Sequence, residues 1–361
     1  MYTPGKLKYL FIFILAGFYF LSASAFFASD VYADGWLKDK IFDRLSSFDG
    51  EGGLRDFLGD PSTGGSSCAE KNQALDKIMS GSRGKKMYGP EADIENIPYG
   101  SGELEILDVF YPTNKKKTNA MRPVLAPIIF MVHGGGWCIG NKDMRSVTEE
   151  KVNRWTPKGF MFISIDYPMI MDGSMAIAQA ESVAKALAYV QANAKKWGGD
   201  PDRIIMMGHS AGAHLVSLVN ADSKLRNRVG AKKVLGTISL DSGALNVPKQ
   251  MPIAVDVLKN IYKEAFGTSE SEWIAASPYH QLDKQAAPWL GVCSTKRPDK
   301  PCEQAKEYAE KSNSLGIKAT VLKQRKGHGA INSKLGTPGR YTRAVEKFMA
   351  SLDPVVKDLL K

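Results

Sequence analysis

One serine of this chain stands in a setting that suits nucleophilic chemistry. Ser210 lies in the sequence Gly208-His209-Ser210-Ala211-Gly212, between apolar runs at residues 204–207 and 213–220. Glycines two positions before and two after a serine permit a sharp strand-to-helix turn, which a Cβ would obstruct. Such a turn exposes the hydroxyl and places the next amide N–H at a helix N-terminus, where developing negative charge is stabilised. The motif therefore predicts that Ser210 attacks acyl groups.

An earlier glycine run supplies backbone donors that acyl transfer requires. The sequence His133-Gly134-Gly135-Gly136-Trp137 follows an apolar run at residues 128–132. Successive glycines leave their N–H groups bare and able to approach a ligand oxygen. Acyl transfer needs such donors where the tetrahedral oxyanion forms. Because a G-x-S-x-G motif follows downstream, an oxyanion hole explains this run better than a flexible turn does.

A serine hydroxyl also needs a base, and histidine is the expected one. The chain has five histidines: His133, His209, His214, His280 and His328. His133 is expected to shape the glycine turn. His209, the variable residue of the serine motif, and His214, on the helix-like run behind it, are expected to be structural. His280 and His328 remain as candidates, and His328 lies between two glycines after the last predicted strand.

The three motifs together resemble a known family. HGGGW at residues 133–137, GHSAG at residues 208–212 and Gly327-His328-Gly329 are similar to the α/β-hydrolase esterases and lipases, in the branch of hormone-sensitive-lipase-like esterases and their formamidase relatives. The resemblance covers roughly residues 98–352. It implies an α/β-hydrolase fold with a serine, an acid and a histidine in that order along the chain. His328 matches the family's histidine position and is therefore the predicted base, whereas His280 precedes the acid. It implies neither a cofactor nor a metal.

The resemblance assigns the oxyanion hole to the backbone N–H groups of Gly135, Gly136 and Ala211. Trp137 is expected to be a packing aromatic, with a wall of the acyl pocket as the alternative. Asp166 is expected to be structural, because proline follows Asp166-Tyr167 where similar enzymes carry an arginine.

The acid of the triad is less clearly marked. In similar enzymes it follows the strand before the last one, here predicted at residues 289–293, and Asp299 is the first acid after that strand. Asp299 is therefore the expected acid, although it comes later than in similar enzymes. Asp241 is the alternative, because it directly follows the predicted strand at residues 235–240. The acid orients the histidine and stabilises its charge.

Apolar strand-like runs alternate with helix-like runs from about residue 103 to residue 352. Such alternation predicts a mostly parallel sheet covered by helices on both faces. Binding sites in these sheets lie beyond the carboxyl ends of the strands. Since His133, Ser210, Asp299 and His328 each follow a predicted strand, they can converge at one edge of the sheet.

The chain is predicted to have four segments. Residues 1–25 read as a signal peptide, with two lysines, an apolar run and small residues in order. The alternative is an uncleaved membrane anchor at residues 9–28, and either interpretation places the catalytic part outside the cytoplasm. Residues 26–97 form an extension of unknown purpose, residues 98–352 the catalytic domain, and residues 353–361 a tail.

Charge and cysteine content constrain partners and compartment. The net charge of +10 is compatible with anionic polymers or lipids. The lysine run at residues 115–117 reads as a solvated loop, and no aromatic residues are interleaved with it as nucleic-acid binding would suggest. An even cysteine count in an exported chain permits disulfides. Cys293 and Cys302 are the preferred pair and Cys68–Cys138 the remaining one, with four free thiols as the alternative. The spacings do not match a zinc site.

These residues support three hypotheses about function. The first is an exported serine carboxylesterase acting on small or medium acyl esters, free or linked to a polymer. The second is an arylformamidase-like amidase with the same triad. The third is a non-catalytic binding protein of the same fold, which retention of both Ser210 and His328 disfavours.

Overall fold

The computed structural model describes residues 67–68, 88–113, 125–254, 256–297 and 299–361. The predicted signal peptide at residues 1–25, the alternative anchor at residues 9–28 and most of the extension therefore lie outside the described residues. Within the described ranges, no helix combines the length and the apolar character needed to cross a membrane.

The core of the fold is one eight-stranded sheet in the order β1-β2-β4-β3-β5-β6-β7-β8. The strands are β1 (Ile94–Pro98), β2 (Ile106–Phe110), β3 (Ala126–Val132), β4 (Met161–Ile165), β5 (Gly199–His209), β6 (Gly236–Leu240), β7 (Trp289–Ser294) and β8 (Ala319–Gln324). Strand β2 pairs antiparallel with β1 and β4, whereas β4, β3 and β5 to β8 pair parallel. The predicted mostly parallel sheet is confirmed, and its first strand begins slightly before residue 98.

Helices cover both faces of this sheet. They are α1 (Arg145–Trp155), α2 (Ala176–Asn193), α3 (Ala211–Ala221), α4 (Ser223–Arg228), α5 (Val247–Ile253), α6 (Asp256–Phe266), α7 (Glu270–Ala275), α8 (Pro278–Gln281), α9 (Pro301–Ser314), α10 (His328–Ser333), α11 (Arg340–Ala350) and α12 (Pro354–Leu360). Successive residues of β3 point into two different cores, since Phe130 packs in one cluster and Met131 in the other. All seven residues of β3 are buried, which is why this strand reads as an unbroken apolar run.

The stretch at residues 246–277 consists largely of helices. Helices α5, α6 and α7 lie within it, and α8 begins directly after it. Caps mark several of these helices: the Asn246 side chain accepts from the Lys249 N–H, and Ser269 and Glu272 form a capping box. Helices α5 and α7 are too short to carry clear periodicity, so their caps are the usable sequence signal.

Both expected disulfides are present, Cys68–Cys138 and Cys293–Cys302. Cys138 follows Trp137 at the end of the glycine loop, so the first disulfide joins the N-terminal extension to the loop after β3. The Cys68 N–H also lies 3.3 Å from Glu264 Oε2 of α6. Residues far apart in the sequence are thus tied together beside the predicted oxyanion loop.

Candidate active site

Ser210 occupies a sharp turn between β5 and α3 that only glycine neighbours allow. The backbone of Ser210 has φ 55° and ψ −114°, a strained conformation for a non-glycine residue. A Cβ on Gly208 would lie 2.3 Å from the Gly212 carbonyl oxygen. A Cβ on Gly212 would lie 2.3 Å from the carbonyl oxygens of both Val132 and His133. The glycine spacing of the motif is therefore required by backbone contacts within the turn and with the end of β3.

His328 bridges Ser210 to a carboxylate. Its Nε2 lies 2.8 Å from Ser210 Oγ, and its Nδ1 lies 2.6 Å from Asp241 Oδ2. The Nδ1–H donates to the carboxylate, which leaves Nε2 unprotonated and able to accept the Ser210 proton. The structure thus brings together the serine and histidine that the sequence predicted.

The carboxylate at this site is that of Asp241, at the end of β6. Its side chain is fully buried, and Oδ1 accepts a hydrogen bond of 2.7 Å from the Ser294 N–H. With Oδ2 on the histidine and Oδ1 on the backbone, both oxygens are fixed. The residue that the sequence ranked second as the acid is the one in contact with His328.

The expectation that Asp299 contacts the histidine is wrong. The Asp299 carboxylate instead pairs with the Arg297 guanidinium, through a 2.9 Å hydrogen bond from Nε and a second, shorter one from Nη2. Arg297 lies between this carboxylate and Asp241, and its Nη1 is 3.2 Å from Asp241 Oδ2. Because the loop after β7 is long, it delivers an arginine to the histidine rather than an acid.

The other four histidines are fixed in other contacts. His209 donates from Nε2 to the His328 carbonyl oxygen at 3.0 Å, and burial together with the nearby His328 ring lowers its pKa well below the usual range. His214 donates to the Ala276 carbonyl, and burial lowers its pKa to about 4. His280 contacts Ser277 Oγ, and burial lowers its pKa. His133 lies against the Asp166 carboxylate at 3.4 Å and stacks on Tyr167.

The glycine loop lies directly against the Ser210 turn. A Cβ on Gly134 would lie 2.6 Å from the His209 carbonyl oxygen and 2.9 Å from Ser210 Cβ. Gly135 has φ 134°, and a Cβ there would lie 1.7 Å from the Ile139 carbonyl oxygen. Among the described residues, the N–H groups of Gly135, Gly136 and Ala211 donate to no protein acceptor. They are therefore available to a substrate oxygen beside Ser210, and their role in binding an oxyanion stays a prediction.

Trp137 is buried and fixes the far end of this loop. Its Nε1–H donates to His214 Nδ1 at 3.1 Å, and its ring packs edge-on against Tyr262 and Phe266 of α6. A Cβ on Gly243 would lie 2.9 Å from the indole ring. The expectation of a packing aromatic agrees with these contacts. The sequence did not indicate that α6 would supply its partners.

Asp166 has the contacts of a structural residue. Its Oδ1 accepts the Lys142 N–H at 2.6 Å, and its own carbonyl oxygen accepts from the Tyr99 hydroxyl at 2.7 Å.

Arg297 is the residue at this site that the sequence reasoning missed. Its only signal was a cation two residues before the expected acid. Within the described part of the chain, no cluster of three or more acidic, histidine or cysteine side chains could hold a metal ion.

Comparison with known proteins places this geometry in context. A family model described as BD-FAE matches residues 107–311, more than half of the chain. Esterase LipQ of Mycobacterium tuberculosis is 27% identical over 246 residues, which cover 64% of this chain and 55% of LipQ. Isoprenylcysteine alpha-carbonyl methylesterase of Arabidopsis thaliana is 25% identical over 249 residues, which cover 63% of this chain and 54% of that protein. The chain thus spans about half the length of the curated relatives it matches.

Solved structures share the fold at low sequence identity. A truncated carbohydrate esterase from gut microbiota superposes with a TM-score of 0.58 at 20% identity, covering 75% of this chain and 99% of that one. Esterase B from Lactobacillus rhamnosis gives a TM-score of 0.59 at 14% identity, covering 80% of this chain and 95% of that one. At these identities the likeness shows the fold.

Proposed function

The chain belongs to the BD-FAE family, an esterase family of α/β-hydrolase fold, and on this premise we propose that it is a serine carboxylesterase acting on small or medium acyl esters. The observation that carries the proposal is the contact of His328 with Ser210 Oγ on one ring nitrogen and with the Asp241 carboxylate on the other. The names of the relatives, which are esterases, support the same reaction class.

The geometry supports a two-step reaction. In the first step Ser210 Oγ attacks the ester carbonyl carbon while His328 Nε2 takes its proton, and the same proton then passes to the departing alcohol. The acyl group is left on Ser210. In the second step water attacks this acyl group, gives its proton to His328, and releases the carboxylic acid as the proton returns to Ser210. The buried Asp241 carboxylate stabilises the imidazolium in both steps.

The backbone N–H groups of Gly135, Gly136 and Ala211 are proposed to bind the oxyanion of each tetrahedral intermediate. Donors held rigidly by close backbone contacts need no reorganisation when charge develops. Each such donor typically contributes about 3–4 kcal/mol of transition-state stabilisation. Ala211 opens α3, so the positive end of that helix adds to the favourable field.

We propose that α6 limits the room for the acyl group on one side. The position of a Cβ on Gly136 is 3.5 Å from Ile261 Cγ2, so this helix lies beside the oxyanion loop. A nearby helix wall supports small or medium acyl groups. Because one structural neighbour is a carbohydrate esterase, sugar-linked acetyl esters belong among the substrates to be tested.

The serine mechanism can be tested by substitution and by labelling. We expect Ser210→Ala to lower the hydrolysis of p-nitrophenyl acetate and butyrate by roughly 10⁵–10⁶-fold with an unchanged circular dichroism spectrum. A fluorophosphonate probe should modify the unaltered protein at Ser210 alone, as mapped by peptide mass spectrometry. Ser101→Ala, at an exposed turn between β1 and β2, is the matched control and should retain full activity. Turnover retained by Ser210→Ala would reject the mechanism, and absence of labelling would favour the binding-protein hypothesis.

Bond preference can be tested on the same preparation. We expect kcat/KM to be highest on acetyl to butyryl esters and to fall with longer chains. N-formyl aromatic amines serve as the opposing substrate class. If they were turned over faster than every ester in the series, the formamidase-like amidase would replace the esterase as the assignment.

We also propose that the protein is exported. The signal-like order of residues 1–25 and the two disulfides support this, because disulfides persist in oxidising compartments. Fractionation of the source cells, with the N-terminus of the recovered protein determined by mass spectrometry, separates a cleaved signal from an uncleaved anchor. Recovery in the cytoplasm with reduced cysteines would contradict export.

A further inference from the structure

A buried arginine stands next to the acid of the site. The Arg297 side chain is 3% exposed, and its Nη1 donates to the carbonyl oxygens of Asp241 at 3.0 Å and Ser242 at 3.1 Å. The same nitrogen lies 3.2 Å from Asp241 Oδ2 and 3.3 Å from His328 Nδ1. His328 Nδ1 carries the hydrogen that it donates to Asp241. The close approach of Nη1 to Nδ1 therefore brings two hydrogen-bond donors together. Arg297 therefore acts on the histidine through charge and through Asp241.

The guanidinium is in turn held by a second carboxylate. Asp299 accepts from Nε and Nη2, a bidentate arrangement that fixes the plane of the guanidinium. Burial alone would lower the pKa of Arg297, but the carboxylates of Asp299 and Asp241 raise it above its ordinary value. The group stays charged at every pH at which an esterase works. The site thus contains two carboxylates and one permanent cation beside a single titrating imidazole.

We propose that Arg297 is a positioning residue for Asp241, and that the Arg297–Asp299 pair sets the electrostatic field in which His328 gains and loses its proton. This inference rests on the proposed esterase mechanism, in which His328 is the base. Arg297 is not assigned to contact substrate. It acts on the reaction only through Asp241 and His328.

The positioning part follows from the contacts of Nη1. Asp241 has φ 52°, a backbone conformation that is uncommon outside glycine, and it must be held there. Hydrogen bonds from one guanidinium nitrogen to two successive carbonyl oxygens hold this turn against the end of β7. A lysine keeps the charge but lacks the planar fork, so it cannot make these bonds while also bonding Asp299 in a bidentate manner.

The electrostatic part follows from the signs of the charges. A cation beside the ring disfavours the imidazolium, and a charge within about 4–6 Å moves a pKa by roughly 1–3 units. Asp299 offsets that cation because it lies on its far side. Removing Arg297 should therefore make His328 easier to protonate, whereas removing the charge of Asp299 should make it harder. The two changes have opposite signs although they disrupt the same ion pair.

Other titratable groups surround the histidine and must be distinguished from this pair. His209 of β5 stacks near it at 4.6 Å between ring centroids and stays neutral because burial depresses its pKa. Lys151 of α1 bonds the Asn332 carbonyl of α10, and burial lowers its pKa to about 7. Tyr341 of α11 bonds the Ile331 carbonyl, and burial raises its pKa. None of these residues is altered by substitution at Arg297 or Asp299.

The test follows the rate at which a fluorophosphonate labels Ser210 as a function of pH, together with kcat and KM for p-nitrophenyl acetate. Both readouts fall at low pH as His328 is protonated. For Arg297→Met we expect labelling to slow by about tenfold or more. The acidic limb of the pH–rate profile, where the rate falls as His328 is protonated, should move up by roughly one pH unit. For Asp299→Asn we expect the limb to move down by several tenths of a unit. For Arg297→Lys we expect a similar loss in kcat with little change in KM and a limb that stays in place.

Arg203→Lys is the matched control. Arg203 also pairs with two carboxylates, those of Asp200 and the partly buried Asp353, but it lies near the amino end of β5, whereas Ser210 follows the carboxyl end of that strand. Its pH profile should equal that of the unaltered protein. Melting temperatures of all variants identify any that fail to fold, in which case Arg297→Lys and Asp299→Asn still decide the question.

Two results would overturn the inference: limbs that move in the same direction for Arg297→Met and Asp299→Asn, or unchanged rates and limbs in every folded variant at these two positions. Failure of the esterase proposal is seen separately, because Ser210→Ala would then retain turnover. Loss of activity in Ser210→Ala with unaltered Arg297 variants would reject this inference alone.

Discussion

The two sides of Ser210 are held in place by different forces. On the side of the oxyanion loop, backbone meets backbone so closely that a Cβ on Gly208, Gly212 or Gly134 would lie well inside contact distance of a carbonyl oxygen. On the side of His328, the contacts join charged or titrating side chains from loops after β6, β7 and β8. One side is fixed by steric exclusion and the other by charge.

This difference determines how each side can fail. A sterically fixed loop is disrupted by adding a single carbon atom and is indifferent to pH. A network fixed by charge keeps its shape when a carboxylate becomes an amide. It loses the electrostatic field that the carboxylate exerted on the histidine. Substitutions that change volume and substitutions that change charge should therefore have separate effects on the two sides.

The largest effect is expected on the charged side, from Asp241→Asn. Asparagine keeps the shape of the carboxylate but cannot stabilise the imidazolium, so kcat/KM on p-nitrophenyl acetate should fall by about 10⁴-fold. The melting temperature should change far less than activity. Asp299→Asn is the companion variant and should lose less than about 100-fold. A larger loss of kcat/KM for Asp299→Asn than for Asp241→Asn would identify Asp299 as the catalytic acid.

The next effect is expected on the steric side, from Gly212→Ala. The added Cβ would lie 2.3 Å from the carbonyl oxygens of Val132 and His133, so the end of β3 must move away. We expect a loss of about 3 kcal/mol in the free energy of unfolding and a fall of roughly 10²–10³-fold in kcat, independent of pH. Urea denaturation and kinetics at several pH values measure both. Gly339→Ala, where a Cβ meets open space, should change neither quantity appreciably.

A third effect concerns Lys151, whose buried amine supports the helix carrying His328. Its Nζ donates to the carbonyl oxygens of Ser146 and Asn332, and burial lowers its pKa from 10.5 to about 7. Between these two pH values the unfolded chain binds more protons than the folded one. The free energy of unfolding should therefore rise with pH across this window by at most about 1.4 kcal/mol per unit, and the stabilisation is lost as pH falls through 7.

Lys151→Met removes this proton difference. Urea midpoints between pH 7.5 and 9.5 should rise less with pH in the variant than in the unaltered protein, whatever the absolute stability. Lys158→Met, at a residue that is not buried, is the control and should leave the slope unchanged. Parallel slopes for Lys151→Met and the unaltered protein would show that Lys151 is not held at a depressed pKa.

The smallest effect is expected from Trp137→Phe, which removes one side-chain hydrogen bond on the steric side. The variant keeps most of the aromatic packing against α6 but leaves His214 Nδ1 without its donor. We expect a loss of about 1–2 kcal/mol in the free energy of unfolding, measured by urea denaturation. Trp273→Phe, whose indole N–H bonds a carbonyl in a partly buried setting, should lose less. An equal loss of unfolding free energy in the two variants would show that the buried hydrogen bond of Trp137 contributes no more than the partly buried one of Trp273.

The same contrast explains what the sequence could predict. The Ser210 turn and the glycine loop were identified because steric requirements act over a few neighbouring residues and leave a fixed spacing. The strands were predictable because β3 and β5 are buried on both faces. Asp241 was named only as an alternative, since the choice between it and Asp299 depends on which loop reaches His328 in space. Arg297 was missed because its spacing from Asp299 does not show that the pair is buried beside His328. The predicted signal peptide lies outside the described residues.

The Cys68–Cys138 disulfide also gives the chain an unusual connectivity. The bond closes a covalent ring that contains β1, β2, β3 and the oxyanion loop. A protease that cuts once anywhere inside this ring opens it without releasing a fragment, so the cleaved protein keeps its mass until a reductant is added. Nicked and intact molecules would co-migrate on a non-reducing gel and separate on a reducing one. The ring therefore keeps the segment before Cys68 attached to the catalytic body after a single internal cleavage.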